Sequence, residues 1–348
     1  MKLALITTTI NVPRVLSLYR AHDAHIPFFV AADEKTPDEA YAFCADLGGC
    51  EIYTPTRQKE LGYECSSLIG WNTIGRRNIA LLEAVKSGAE VIVTVDDDNI
   101  PMDMDYFVHL RAAFDPSMFS ENSPFRGLEA SSPQRWFDVG QLLVPPAKHR
   151  GFPINVYPSL VLEPVTAARI GVAAGACLGD PDIDACTRIA DHPVVHMASE
   201  VLKAGVVTDP RRTRTVFNSQ NTAFRRDLAA CMFMMPGLGR FDDIYASLIC
   251  QRVMAERNQF VHFGRPFVWQ QRNSHNLIDD LIVEIDGMAN VEKFAEALWR
   301  APIYSDSDYV DAVTACRSLV GGMNGIGLLP GMAIAAAMAF YDDLERVL

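Results

Sequence analysis

The stretch Val91-Ile92-Val93-Thr94-Val95-Asp96-Asp97-Asp98-Asn99-Ile100-Pro101 decides the fold prediction. Five strand-forming residues run directly into three aspartates, and a proline then prevents the chain from continuing the sheet. A continuous apolar run is typical of a strand that is buried on both faces, as in parallel sheets covered by helices. Such α/β sheets bind ligands beyond the carboxyl ends of their strands, so the aspartates lie where a site is expected.

Three adjacent carboxylates repel one another unless a cation neutralises them. Mg²⁺ and Mn²⁺ prefer oxygen ligands and bind through one or two carboxylates together with substrate phosphates. The triplet therefore predicts a metal and diphosphate site of the Asp-x-Asp kind, in which Asp96 and Asp98 bind the metal. The alternative is a solvated acidic turn, in which Asp98 or Asn99 caps the next helix.

Length and composition limit the class of protein. The 348 residues suffice for one large α/β domain or two smaller ones. The formal net charge of −12 argues against broad binding of nucleic acid or anionic membranes. No apolar run approaches the roughly 18 residues of a membrane helix. The eight cysteines are scattered and form no C-x-x-C pair, which favours reduced thiols in a cytoplasmic protein.

The N-terminal part predicts a βαβ unit, with strands over residues 3–6 and 26–33. Hydroxyl residues end the first strand, and Thr8 and Asn11 are candidates for holding a nucleoside; capping of the next helix is the alternative. Asp33 ends the second strand, where such folds often bind a ribose or a base. The first strand is not followed by G-x-G-x-x-G, which argues against a dinucleotide enzyme.

An apolar stripe predicts a helix over residues 79–85, before the central strand. Arg76 and Arg77 lie near its start, and arginine forks match the oxygens of a diphosphate. Because adjacent residues point in different directions on a helix, only one of the two is expected to contact the ligand. The alternative is a solvated basic turn.

Three later stretches are assigned from local pattern alone. Residues 166–172 predict a helix, and residues 216–224 predict a strand whose polar side chains suit one wall of a sugar pocket. Residues 179–184 are acidic and rich in turn formers; a surface turn is the favoured interpretation, and a metal ligand is the alternative.

Two paired acids and one histidine are further candidates. Asp242 and Asp243 begin an amphipathic helix, where the helix dipole favours acids whatever their function. They would also suit a general base or a group that binds acceptor hydroxyls. His275 follows another apolar strand and is a candidate third metal ligand, although a lone histidine is commonly a structural residue.

Alanine-rich helices after residue 291 would pack on the main domain or on another subunit, which allows a homo-oligomer.

Four further segments, in order along the chain, are residues 95–98, 150–153, 221–228 and 239–245. Together they resemble segments of the reversibly glycosylated polypeptide family, which includes UDP-arabinopyranose mutases and related enzymes with a GT-A glycosyltransferase fold. The most specific one is Arg-Phe-Asp-Asp-Ile-Tyr, which is similar to the family's Arg-Tyr-Asp-Asp-Met-Trp.

The resemblance implies a GT-A-like, Rossmann-type mixed sheet flanked by helices over residues 1–285. The alanine-rich remainder, residues 286–348, is predicted to be a helical C-terminal extension. The resemblance also implies that Asp96, Asp97 and Asp98 hold the metal and a UDP-sugar. The arginine that becomes glycosylated in the family falls on Arg150. The family has a second arginine seven residues further on, where this chain has Tyr157, and this departure favours an ordinary transferase over a mutase.

The predicted function is metal-dependent glycosyl transfer from a nucleotide-sugar donor, with UDP as the expected nucleotide and Mn²⁺ or Mg²⁺ as the cofactor. Asp243 or Asp242 would orient or deprotonate a hydroxyl of an unknown acceptor, and Arg76 or Arg77 would stabilise the leaving phosphate. One alternative is a nucleotide-sugar mutase with Arg150 as a transient sugar carrier. Another is a non-catalytic nucleotide-sugar-binding protein whose carboxylates only hold a metal.

Overall fold

The computed structural model describes residues 1–115, 127–271, 276–303 and 310–348. The strands in these ranges are β1 (Leu3–Thr9), β2 (Phe28–Ala32), β3 (Cys50–Tyr53), β4 (Val91–Val95), β5 (Asn99–Pro101), β6 (Leu128–Ser131), β7 (Leu143–Val144), β8 (Val161–Pro164), β9 (Arg169–Gly179), β10 (Met197–Ala198), β11 (Val206–Thr208), β12 (Asn221–Arg225) and β13 (Gln259–Gln270). The helices there are α1 (Leu16–His22), α2 (Asp38–Asp46), α3 (Pro55–Glu60), α4 (Cys65–Ile69), α5 (Arg77–Lys86), α6 (Tyr106–Ala113), α7 (Ala185–Ala190), α8 (Glu200–Ala204), α9 (Asp242–Glu256), α10 (Leu277–Arg300), α11 (Ala312–Gly322) and α12 (Gly331–Val347).

One large mixed sheet organises the fold. Across the described ranges it contains eleven strands in the order β3-β2-β1-β4-β12-β9-β13-β11-β6-β8, with β5 paired to β13. The four strands β3, β2, β1 and β4 are parallel. The next strand, β12, runs antiparallel between β4 and β9. The predicted mixed α/β architecture with a helical C-terminal region is therefore confirmed.

The central strand β4 is buried at every residue, and its side chains alternate between two hydrophobic clusters. Val91, Val93 and Val95 pack on the side of α1 and α6, whereas Ile92 packs on the side of α5, α9 and the C-terminal helices. Two buried faces explain the continuous apolar run in the sequence. Because the strand ends at Val95, the aspartate triplet emerges at the carboxyl edge of the parallel strands.

The C-terminal helices share the hydrophobic cluster of α5 and α9. Helix α10 runs through the predicted domain boundary at residue 285, and the division into two domains stays a prediction. Helix α12 also supports the N-terminal half directly, because the buried Asp343 carboxylate accepts hydrogen bonds from the amides of Glu64 (3.1 Å) and Cys65 (2.9 Å) at the start of α4. Among the described residues, no helix combines the length and apolar character needed to cross a bilayer.

The helix predicted over residues 166–172 is wrong, because β9 begins at Arg169. Strand β9 pairs with β12 on one side and β13 on the other. Tertiary pairing on both edges outweighs the local preference of an alanine-rich segment for helix.

Candidate active site

An acidic cavity of about 270 Å³ lies beyond the carboxyl end of β4. It is formed by the aspartate triplet, the start of α5, the residues before β12 and the start of α9, together with loop residues from elsewhere in the chain. The charged residues that line it are Arg77, Asp96, Asp97, Asp98, Arg150, Asp182, Arg240, Asp242 and Asp243. Within the described residues, carboxylates outnumber guanidinium groups by six to three. The cavity is thus electrostatically suited to a cation.

Arg77 connects the start of α5 to the carboxyl edge of β4. Its Nη2 donates to Asp96 Oδ1 at 2.5 Å, and its Nη1 donates to Thr94 Oγ1 at 3.2 Å and to the Ser219 carbonyl at 3.0 Å. The side chain is buried yet lines the cavity. Arg77 therefore fixes Asp96 and places a positive charge in the cavity wall.

Arg76 points away from the cavity. Its guanidinium lies 3.9 Å from the Trp71 ring centroid and donates hydrogen bonds to Gln58 and Ser66 inside the protein. Only one of the two adjacent arginines faces the site, as the helix geometry predicted. The sequence proposal that Arg76 contacts a diphosphate is not supported by its position, because its donors are committed to the core.

The nucleoside candidates are separated by the fold. Thr8 lines the cavity, and its hydroxyl donates to the Ala31 carbonyl at 2.7 Å. The buried Asp33 carboxylate accepts hydrogen bonds from the amides of Asn72 (2.7 Å) and Thr73 (3.1 Å), so it organises the loop before α5. Asn11 is exposed at the end of β1 and lies outside the cavity lining. Of these three residues, Thr8 is therefore the one that the structure brings to the cavity.

Asp97 is turned towards the first strand, where the Thr9 hydroxyl donates to its carboxylate. Burial raises the pKa of Asp97, and the neighbouring Asp96 adds to the effect. Asp98 also lines the cavity. The three adjacent acids therefore have different surroundings: Asp96 pairs with Arg77, Asp97 is held by Thr9, and Asp98 faces the cavity.

Arg150 is clamped between two carboxylates. Its Nε and Nη2 donate to Asp182 at 3.0 and 2.8 Å, and its Nη1 and Nη2 donate to Asp243 at 3.2 and 3.4 Å. Burial disfavours the charged guanidinium, but Asp182 and then Asp243 outweigh this effect and raise the pKa of Arg150 well above its usual range. The side chain is thus held rigidly as a cation at the cavity wall.

Asp242 and Asp243 lie in the first turn of α9 and have unequal partners. Asp243 Oδ2 accepts hydrogen bonds from the Ser219 amide at 3.1 Å and from Arg150. Within the described residues, Asp242 Oδ1 accepts a hydrogen bond only from the Asp243 amide, at 2.9 Å. Burial and then the charge of Asp243 raise the pKa of Asp242 to about 7. Asp242 is consequently the better placed of the two to exchange a proton near neutral pH.

The donor set of the cavity fits a hard divalent cation. Asp96 and Asp98 supply carboxylate oxygens, and the excess of negative charge would repel a diphosphate that arrived without a cation. No group of three or more histidine, cysteine, aspartate or glutamate side chains within the described ranges is arranged to hold a metal. A cation that binds through one or two carboxylates and a diphosphate does not require such a group. The third predicted ligand, His275, lies outside the described residues.

Sequence reasoning missed two charged residues of the cavity. Asp182 belongs to the segment for which a surface turn was favoured, and that interpretation is wrong for Asp182 because its side chain is buried against Arg150. The alternation of acids with Pro181 and Ile183 is the only local hint of a buried side. Arg240 also lines the cavity, and its Nε donates to Glu284 on α10 at 2.7 Å.

The fold and the cavity define an α/β protein with a mixed sheet and an acidic site at the carboxyl edge of its parallel strands. The chain belongs to the reversibly glycosylated polypeptide family, whose sequence model matches residues 135–316. A search of curated proteins found no match. Membership of the family places the protein in nucleotide-sugar chemistry, as a glycosyl transferase or mutase.

Proposed function

We propose that the protein transfers a glycosyl group from a UDP-sugar, with the help of Mn²⁺ or Mg²⁺. The proposal rests on one observation, namely that the aspartate triplet, Arg77 and Asp242 converge on a single cavity at the carboxyl edge of the sheet. Ligands of open α/β sheets bind at this edge. All eight cysteines are free thiols, which supports a reducing compartment such as the cytoplasm.

In this reaction the bond between the anomeric carbon and the diphosphate oxygen breaks, and the diphosphate keeps the electron pair. The acceptor oxygen forms the new bond to that carbon, and Asp242 takes the acceptor's proton. Arg77, fixed by Asp96, contributes positive charge next to the leaving group. Asp98, with Asp96, would hold a divalent cation, which supplies further neutralisation of the diphosphate.

A mutase reaction is the second candidate, because Arg150 lines the cavity between two carboxylates, one of which would take a guanidinium proton as the nitrogen bonds to the sugar. In this route a guanidinium nitrogen bonds to the anomeric carbon as UDP leaves, and UDP later displaces the arginine. Intact-mass measurement after incubation with the UDP-sugar separates the two reactions. A mutase should gain the mass of one sugar on Arg150 and lose it when UDP is added, whereas a transferase should keep its mass.

The proposal is tested by thermal unfolding with UDP- and GDP-sugars, each with and without Mn²⁺. We expect one UDP-sugar to stabilise the protein only with the metal, by about 3 kcal/mol at a hundredfold excess over Kd. The Asp98→Asn variant should lose this effect because its amide is a poorer ligand for a hard cation. Asp105→Asn, which changes a nearby exposed acid, should keep it.

Stabilisation that is absent for every nucleotide, or equal in the Asp98→Asn variant and the wild type, would overturn the proposed site. Stabilisation without turnover of the donor in the presence of varied acceptors would favour the non-catalytic binding protein instead.

A further inference from the structure

A second concentration of charge lies at the opposite edge of the sheet from the acidic cavity. A pocket of about 390 Å³ opens there, beside the first residue of β9 and the last residue of β12. We define the arginine pocket by Arg169, Arg225 and Arg226; Glu90, Asp227 and Leu348 complete its lining. Because β12 is antiparallel to β4, its end at Arg225 lies beside the start of β4, and the catalytic aspartates follow the other end of β4.

The two acids at this pocket already have other partners. Glu90 accepts a hydrogen bond from the Lys2 amide at 2.5 Å and lies 3.5 Å from the Met1 amine. Asp227 lies 3.4 Å from Arg257. Among the described residues, none of the three pocket arginines is within ion-pair distance of an aspartate or glutamate side chain. The side chains that line the pocket therefore carry three positive and two negative charges, in a chain whose net charge is −12.

The three guanidinium groups retain donors for a ligand. Arg225 Nε donates to the Ile170 carbonyl at 2.7 Å, and Arg226 Nη2 donates to a main-chain oxygen of Leu348 at 3.1 Å. Arg226 Nε is buried and has no hydrogen-bond partner in the described part of the chain. Burial and then the like charge of Arg169 lower the pKa of Arg225. An anion between the three side chains would relieve this repulsion and occupy the remaining donors.

We propose that the arginine pocket binds a small soluble anion through a phosphate or diphosphate group, at a site separate from the catalytic cavity. Planar guanidinium forks pair with phosphate oxygens in two parallel hydrogen bonds, so three forks suit a group with several oxygens on different sides. A pocket of about 390 Å³ has room for a small ligand, and the net charge of the chain disfavours a long polyanion or an anionic bilayer. The inference does not depend on the proposed glycosyl transfer.

The test is isothermal titration calorimetry of the full chain with inorganic diphosphate, in EDTA and at low ionic strength. We expect one binding event per chain that weakens at least tenfold in Arg169→Gln and in Arg225→Gln, because each change removes a charge-assisted contact. Arg169 is exposed at the start of its strand, so its replacement should leave folding intact. Arg300→Gln, which removes an equal charge from a remote exposed position, should bind as the wild type does.

A catalytic-cavity variant separates the two sites. Arg240→Gln removes a charge from the acidic cavity and should leave the affinity for diphosphate unchanged. The inference is overturned if no heat of binding is found, if Arg169→Gln and Arg225→Gln bind normally, or if Arg240→Gln alone weakens binding. Co-sedimentation with vesicles of anionic phospholipid, without binding of free diphosphate, would also overturn it in favour of a membrane contact.

Discussion

Arg150→Met should lower the free energy of unfolding by about 3–5 kcal/mol, because it leaves Asp182 and Asp243 buried without their common cation. Methionine retains much of the side-chain length, so the change tests the charge more than the packing. Urea unfolding followed by circular dichroism gives the free energy of unfolding. If its slope against urea concentration is the same in the variant and the wild type, the unfolded states of the two proteins are similar.

Arg317→Met is the matched control for this prediction. Arg317 also pairs with two acids, Asp342 and Glu345, but both partners are more than half exposed. Surface ion pairs are screened by water, so this change should cost less than about 1 kcal/mol. An equal decrease in the free energy of unfolding of the two variants would contradict the interpretation that Arg150, Asp182 and Asp243, here called the Arg150 clamp, are buried charges that depend on one another.

Asp242→Asn should lower kcat/KM for the stabilising UDP-sugar by about 10²–10⁴-fold, the usual contribution of a general base. In the wild type, kcat/KM should rise with pH through about 7, where Asp242 loses its proton. The variant should lose this rise because asparagine does not titrate. The measurement is the pH dependence of donor consumption, with saturating Mn²⁺ and an acceptor chosen by screening.

The same variant should be more stable than the wild type at pH 8. The folded pKa of Asp242, about 7, lies above its unfolded value, so the folded state binds more protons between about pH 4 and 7. The free energy of unfolding therefore falls as pH rises through that range, because the buried carboxylate becomes charged. Asparagine does not titrate, so the variant lacks this fall.

Asp279→Asn is the control, since Asp279 is an exposed acid in the first turn of α10. It should leave the pH profile unchanged, and it should not raise the stability at pH 8, because an acid in the first turn of a helix is favoured by the helix dipole. A pH profile that persists in Asp242→Asn would assign the proton transfer to another group.

The centre of the fold could be predicted because its signals are local. A strand buried on both faces produces an uninterrupted apolar run, and β4 has one immediately before the aspartate triplet. The preference for one of the two adjacent arginines also came from local helix geometry, and Arg77 is the one that reaches Asp96. Neither inference required knowledge of a distant partner.

The Arg150 clamp and strand β9 could not be predicted in this way. The two carboxylates that hold Arg150 are 32 and 93 residues away in sequence, and nothing near either one indicates the pairing. In β9, small residues are required by packing: a Cβ on Gly175 would lie 2.2 Å from Asn221 Nδ2 and 2.2 Å from the Pro266 carbonyl oxygen. The helix signal over residues 166–172 came from Ala167 and Ala168, because alanine has the highest helix propensity, whereas pairing with β12 and β13 makes the segment from Arg169 a strand.

The hydrogen bonds from α4 to Asp343 also set an order of events during protein synthesis. Cys65 and its acceptor are 278 residues apart, so the amides at the start of α4 leave the ribosome long before the carboxylate that satisfies them. Contacts between such distant residues form late because the intervening chain must first be ordered. The two amides at the start of α4 therefore stay without this acceptor until α12 has been made. This is the interval in which a chaperone would have most to protect.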